Sequence, residues 1–120
     1  MSKILIIEDN QGIRENLEEL LELSNYKVIL AKNGKEGIKQ IHEVKPDLIL
    51  CDIAMPKLNG FQVLEYVRTT VVPVHIPFIF ITSSTQKQDI KAGKLAGADA
   101  YLTKPFSKEA LFLIIEKYIV

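Results

Sequence analysis

The stretch LILCD, residues 48 to 52, decides the fold, because four apolar residues in a row end in a single carboxylate. A short apolar run of this kind is typical of a strand that is buried on both faces of a parallel sheet. Similar runs at Ile4 to Ile7 and Phe78 to Ile81 also end in polar residues, so we expect three central strands. The runs Lys27 to Ala31 and Ala98 to Leu102 are more mixed, which predicts two edge strands.

The hydrophobic period changes between these strands to that of a helix. Ile13, Leu17 and Leu21 recur at helical spacing, and Asn10 stands where an N-cap residue is expected. The same reasoning predicts four further helices, near residues 34 to 44, 58 to 68, 86 to 96 and 107 to 119, with Ser107 capping the last. Strands and helices that alternate five times predict right-handed crossovers and a parallel sheet with helices on both faces.

Length, charge and cysteine content exclude several classes of protein. A chain of 120 residues has the size of one domain, and we interpret residues 1 to 120 as a single domain. Fifteen Lys and Arg residues balance fifteen Asp and Glu residues, which argues against direct binding to nucleic acid or to an anionic membrane. The longest apolar run, Ala110 to Ile115, is too short to cross a bilayer. Cys51 is the only cysteine, which suits a reducing compartment, and we expect a cytoplasmic protein.

Five polar side chains are expected at one edge of the predicted sheet, because the carboxyl ends of parallel strands lie together. They are Glu8 and Asp9 after the first strand, Asp52 at the end of the third, Thr82 after the fourth and Lys104 after the fifth. Each of them alone has an ordinary explanation as a helix cap, a turn residue or a solvated lysine. Their convergence is what indicates a functional site.

The chemistry of this set favours phosphoryl transfer. Three neighbouring carboxylates repel one another unless a divalent cation lies among them, and Mg2+ is the hard, oxygen-seeking ion that fits best. The ammonium of Lys104, if it lies about 4 Å from an incoming phosphoryl group, contributes on the order of 4 kcal/mol. The hydroxyl of Thr82 can donate to another phosphoryl oxygen. We therefore expect transfer of a phosphoryl group onto a carboxylate nucleophile.

In order and spacing, these residues resemble the receiver domains of two-component response regulators, of which the chemotaxis receiver is the compact single-domain type. The resemblance covers the whole chain. It rests on Glu8-Asp9, on Asp52-Ile53-Ala54-Met55-Pro56 followed by Gly60, on Thr82, and on Lys104-Pro105 with Tyr101 three residues before the lysine. It implies an α/β fold, a flavodoxin-like doubly wound sheet of five parallel strands in the order 2-1-3-4-5 with five helices.

The resemblance also implies roles for the acidic residues. Asp52 would be the phosphoacceptor. Magnesium would be bound by the carboxylates of Glu8, Asp9 and Asp52 and by the backbone carbonyl of Ala54.

Further roles are implied at the ends of the fourth and fifth strands. Lys104 and Thr82 would hold the phosphoryl group, Tyr101 would be an aromatic switch, and the peptide bond before Pro105 would be cis. The donor would be a phosphohistidine on a sensor histidine kinase or a phosphotransfer protein. The chain would not be an enzyme in the usual sense, because it would catalyse only its own phosphorylation and dephosphorylation.

The signal would leave through the face formed by the helix near residues 86 to 96, the fifth strand and the last helix. On the helix near residues 86 to 96, one side carries Lys87, Lys91 and Lys94. On the last helix, one side carries Glu109 and Glu116. A face that is basic on one helix and acidic on the next can pair with a downstream effector or with its own two-fold copy.

Two other functions fit parts of the pattern. A phosphatase with an aspartyl-phosphate intermediate typically has a second Asp two positions after the nucleophile, where this chain has Ala54. A receiver-like module that only docks partners usually lacks part of the acidic and lysine set, which this chain keeps. Incubation with acetyl phosphate and Mg2+ followed by intact-mass measurement distinguishes the three functions.

Overall fold

Five parallel strands form a single sheet in the order β2-β1-β3-β4-β5. The computed structural model describes residues 1–70, 75–83, 91–92 and 97–119. The strands are β1 (Lys3–Ile7), β2 (Lys27–Ala31), β3 (Leu48–Asp52), β4 (Phe78–Thr82) and β5 (Ala100–Thr103). This order confirms the predicted sheet, with β1, β3 and β4 in the centre and β2 and β5 at the edges.

Four helices lie within the described residues: α1 (Gln11–Leu23), α2 (Gly34–Val44), α3 (Gly60–Thr70) and α4 (Lys108–Tyr118). Of the helix predicted near residues 86 to 96, only Lys91 and Ala92 are described, and both are helical. The rest of that prediction, including Lys87 and Lys94, lies outside the described residues. No helix in the described ranges is long and apolar enough to cross a membrane.

Polar side chains set where the helices begin. Asn10 and Ser107 each accept a hydrogen bond from the backbone N–H three residues ahead, at 2.9 and 3.0 Å, which confirms both as N-caps. The third helix begins two residues later than predicted, because Asn59 and Gln62 each accept a hydrogen bond from the other's backbone N–H. This reciprocal pair satisfies backbone donors at the helix start, so the helix cannot begin earlier without losing it.

The last strand also begins two residues later than predicted, because Asp99 lies before the strand and joins it to two helices through side-chain hydrogen bonds. We call this set of contacts the Asp99 junction. Its carboxylate accepts hydrogen bonds from the Phe78 backbone N–H at 2.8 Å and from the Arg68 guanidinium at 2.9 Å. The guanidinium also donates to the carbonyl of Gly97, whose φ of 103° favours glycine. Tyr118 donates its hydroxyl to the Asp99 carbonyl at 2.9 Å, so the junction ties α3 and α4 to the start of β5.

Two apolar layers cover the sheet. Phe78 and Phe80 point to the face covered by α2 and α3, whereas Ile79 and Ile81 point to the face covered by α1 and α4. The residues of β3 and β4 are all buried, while most of β2 and β5 is only partly buried, as expected for edge strands.

The strand register aligns the ends of the strands that carry the predicted site. Asp52 in β3 is paired with Ile81 in β4, and Thr82 is paired with Thr103 in β5. Glu8 follows β1 directly. The ends of β1, β3, β4 and β5 are therefore level, and their polar residues share one edge.

Candidate functional site

Three carboxylates meet at the carboxyl edge of the sheet. One oxygen from each of Glu8, Asp9 and Asp52 lies within 4.8 Å of those from the other two residues. Glu8 is fully buried and Asp52 is 6% exposed, whereas Asp9 is open to solvent. The neighbouring positions of β1 and β3 in the sheet bring the two buried side chains together.

Glu8 is held by both its backbone and its side chain. Its N–H donates to the carbonyl of Ala31 at 3.1 Å, which continues the pairing of β1 with β2 by one residue. Its Oε2 accepts a hydrogen bond from the Asn10 backbone N–H at 3.2 Å. The turn that leads into α1 therefore fixes the direction of the buried carboxylate.

Lys104 brings a positive charge into the cluster. Its Nζ lies 2.6 Å from Glu8 Oε1 and 3.5 Å from Asp52 Oδ1, and its side chain is only 16% exposed. Its backbone N–H donates to the carbonyl of Thr82 at 2.7 Å, and the peptide bond to Pro105 is cis. The lysine is thus held by the end of β4 and points back across the sheet to β1.

The crowding of acids changes the acidity of Asp52. Burial and the nearby Glu8 carboxylate raise the pKa of Asp52 to about 7, and Asp9 adds to the rise, although Lys104 acts in the opposite direction. Burial also raises the pKa of the Cys51 thiol, which donates to the Asp52 carbonyl oxygen at 3.3 Å. The thiol lies inside the core and behaves as a small apolar side chain.

The cluster fits a divalent cation. Within the described part of the chain, the buried Glu8 Oε1 accepts no hydrogen bond, although it forms an ion pair with Lys104. One ammonium offsets the charge of only one of three carboxylates. A hard cation that accepts carboxylate oxygens and keeps several waters would balance the rest, and the exposed side of Asp9 leaves room for those waters.

The remaining predicted site residues surround this cluster. Thr82 is the last residue of β4 and is buried. Tyr101 in β5 is half-buried and lies beside Phe80, with ring centroids 5.5 Å apart. Ala54 is exposed on the loop that follows β3.

Two residues without an assigned role shape the site. The Gly60 N–H donates to the carbonyl of Ile53 at 2.9 Å, and a Cβ at Gly60 would overlap the carbonyl oxygen of Asp52, so only glycine lets α3 start this close to β3. Sequence reasoning noted this glycine only as part of a motif.

Sequence reasoning missed Arg14, which donates hydrogen bonds to the loop between β1 and α1. A single arginine on an amphipathic helix is an ordinary surface residue, so the sequence carries no signal for this role.

Solved structures resemble the chain over nearly its full length. The chemotaxis protein CheY4 of Vibrio cholerae matches with a TM-score of 0.92 and 29% identity over 98% of both chains. The receiver domain of the sensor histidine kinase PA1611 from Pseudomonas aeruginosa, solved with a magnesium ion coordinated in its active site cleft, matches with a TM-score of 0.90. The PA1611 receiver domain is 28% identical to this chain, and the match covers 98% of this chain and 97% of the PA1611 receiver domain. Fold and site together define a signal receiver domain.

The chain belongs to the response regulator receiver domain family, whose pattern matches residues 4–116. The protein PilH of Pseudomonas aeruginosa is 38% identical over 115 residues, which are 96% of this chain and 95% of PilH. The transcriptional regulatory protein RprY of Bacteroides fragilis is 40% identical over 114 residues, 95% of this chain but 48% of RprY. The chain thus spans nearly all of PilH and about half of RprY, and it is a receiver domain of two-component response regulators.

Proposed function

We propose that Asp52 accepts a phosphoryl group from the phosphohistidine of a sensor histidine kinase or a phosphotransfer protein. The position of Lys104 carries the proposal: its ammonium lies 3.5 Å from the Asp52 carboxylate, within the cluster that includes Glu8. A buried carboxylate beside a cation combines a nucleophile with a group that can hold phosphoryl oxygens.

In the transfer, a carboxylate oxygen of Asp52 attacks phosphorus, a new O–P bond forms, and the donor imidazole leaves with the electron pair of its N–P bond. Lys104 attracts the phosphoryl oxygens, and the Thr82 hydroxyl donates to one of them. Glu8, Asp9, Asp52 and the backbone carbonyl of residue 54 would hold Mg2+, which would supply positive charge that keeps the nucleophile ionised and offsets the incoming negative charge.

The donor protein would approach beside Lys104. A cleft of about 380 Å3 opens there, and its walls include Ile13 and Phe106. An apolar wall next to the ammonium supports docking of a protein surface at the site, because burial of apolar area contributes most of the favourable free energy of such contacts.

The signal would leave through Thr82 and Tyr101. Charged hydrogen bonds contribute about 1.5 to 3 kcal/mol each, and a change from 1:99 to 99:1 between two states needs about 5.5 kcal/mol, so two new contacts are of the right order. As Thr82 moves toward the phosphoryl group, Tyr101 turns inward and alters the face that includes Lys91, Glu109 and Glu116, all of them exposed. A downstream effector or a second copy of the chain would bind this face.

We also propose that residues 1–120 act as one receiver domain in the cytoplasm, with proteins rather than nucleic acid as partners. The balanced net charge supports this proposal, as does the presence of a single cysteine, the buried Cys51. The only catalysis that we propose is the chain's own phosphorylation and dephosphorylation.

Acetyl phosphate and Mg2+ test the function directly. We expect the intact mass of the wild-type protein to increase by one phosphoryl group, and Asp52→Asn to abolish the gain because a neutral amide has no nucleophilic carboxylate oxygen. Asp47→Asn, at an exposed acid near the opposite edge of the sheet, is the matched control and should behave as wild type. Rapid turnover of phosphate esters would indicate a phosphatase instead, and an unchanged mass would indicate a docking module.

A further inference from the structure

Arg14, in the first turn of α1, contacts the backbone of both acidic residues that follow β1. Its Nη1 donates to the carbonyl oxygen of Glu8 at 2.8 Å and more weakly to that of Asp9 at 3.4 Å. One guanidinium nitrogen thus bridges two consecutive peptide groups in the loop that carries two of the three carboxylates.

The two acids differ in what else holds them. Glu8 is also fixed by the Ala31 carbonyl, the Asn10 N–H and Lys104. The side chain of Asp9 is exposed, and in the described ranges it accepts no hydrogen bond. The peptide group between Asp9 and Asn10 is thus held at its carbonyl by Arg14 and at its N–H by the Glu8 carboxylate, besides the helix that follows it.

We propose that Arg14 is a positioning residue that holds the loop of Glu8 and Asp9 in the geometry that binds Mg2+, an inference that rests on the proposed function. The residue acts through backbone carbonyls, so it touches neither the cation nor the phosphoryl group. Two metal-binding carboxylates that are already held in place lose less conformational entropy when the cation binds.

The electrostatic effect of Arg14 has the opposite sign, which makes the proposal testable. A guanidinium near the carboxylates repels a cation, so its removal would by charge alone strengthen Mg2+ binding. Loss of positioning would weaken it. The sign of the change in Mg2+ affinity therefore separates the two effects.

Lys35 provides a matched control. It lines the same cleft of about 430 Å3 as Asp9 and Arg14, together with Lys32 and Lys57. Within the described ranges Lys35 makes no hydrogen bond or ion pair with the acidic loop. Lys35→Ala removes a positive charge from the cleft without disturbing that loop.

The experiment is an Mg2+ titration of the full chain, followed through the backbone amide shifts of Asp9, Asn10 and Asp52. For Arg14→Met, which keeps the aliphatic stem, we expect the Kd for Mg2+ to rise about 10- to 100-fold, as for other residues that orient ligands. Arg14→Lys keeps a donor that reaches the loop and should recover most of the affinity. Lys35→Ala should bind as tightly as wild type or more tightly. Circular dichroism establishes that each variant is folded at the titration temperature.

Each outcome decides a different question. Saturable wild-type binding with equal or tighter binding by Arg14→Met would overturn the inference while leaving the proposed function intact. A wild-type protein with no saturable response to Mg2+ would overturn the proposed function and the inference with it. If Arg14→Met does not fold, Arg14→Gln removes the same charge with a shorter side chain, and an affinity at or above that of wild type contradicts positioning equally.

Discussion

Lys104 and Glu8 form an ion pair at the carboxyl edge of the sheet, with 2.6 Å between Nζ and Oε1. The Glu8 side chain is fully buried there. The pair joins the end of the first strand to the end of the last. Because a buried charge is costly without its partner, this contact contributes to stability as well as to the site.

Replacement of Lys104 by Met should destabilise the metal-free protein, because the Glu8 carboxylate would remain buried without its cation. We expect a loss of about 3 to 5 kcal/mol in the free energy of unfolding, measured by urea denaturation in EDTA. The double variant Glu8→Gln with Lys104→Met should recover most of the loss. Lys108→Met, at an exposed lysine, should change stability by less than about 0.5 kcal/mol. Equal losses in the single and double variants would contradict a coupled pair.

The stability of the metal-free protein should decrease as the pH rises from about 4 to about 7. The pKa of Asp52 is about 7 in the folded protein, whereas the ordinary pKa of an aspartate is 3.8, so between these two pH values the folded state binds more protons than the unfolded state. Stability is therefore lost as the folded carboxyl ionises, and the loss from this group levels off only after the pH has risen through the folded pKa of about 7. Thermal melts of the wild-type protein and Asp52→Asn in EDTA isolate the effect, because the other titrating groups are shared. Parallel pH profiles for the two proteins would show that Asp52 has no raised pKa.

Gly60→Ala should destabilise the protein, because the new methyl group would meet the carbonyl of Asp52 and force α3 away from β3. The expected loss is about 1 to 3 kcal/mol. Gly12→Ala is the control: its Cβ would have ordinary contact with Asn10, and alanine favours the helix, so stability should stay equal or rise by up to about 1 kcal/mol. Urea denaturation of both variants measures the difference, and similar values for the two would rule out close packing at Gly60.

Activation should perturb the proposed output face more than the opposite side of the molecule. In the presence of beryllofluoride and Mg2+, we expect larger amide shifts at Lys91, Tyr101 and Glu109 than at Lys39 in α2. The physical reason is that the Tyr101 ring lies in β5 against Phe80, next to the strand that ends in Thr82. Shifts confined to the immediate neighbours of Asp52 would remove the basis for this output face.

Much of the fold was predictable because its signals are local. The apolar runs of β1, β3 and β4 mark strands that are buried on both faces, and parallel pairing then puts their polar ends on one edge. The set of side chains at the site followed from that edge. The contrast between apolar and mixed runs separated the central strands from the edge strands, whereas the full order 2-1-3-4-5 was implied by the resemblance to receiver domains.

Other features depended on contacts between distant residues and had no local signal. The late start of β5 comes from Asp99, whose partner Arg68 is 31 positions away in the sequence. The full burial of Glu8, compared with the exposure of Asp9 next to it, depends on the position of Lys104. Hydrophobic periodicity carries no information about such pairs.

The junction at Asp99 also gives β5 a mechanical asymmetry. At its amino end, Arg68 and Tyr118 clamp the strand to two helices through side-chain hydrogen bonds. At its carboxyl end, the contacts of Lys104 are with charges that phosphorylation would rearrange. The side-chain hydrogen bonds that hold β5 to the helices therefore lie at the end away from Asp52, whereas a change of charge at Asp52 would act on the opposite end of the strand.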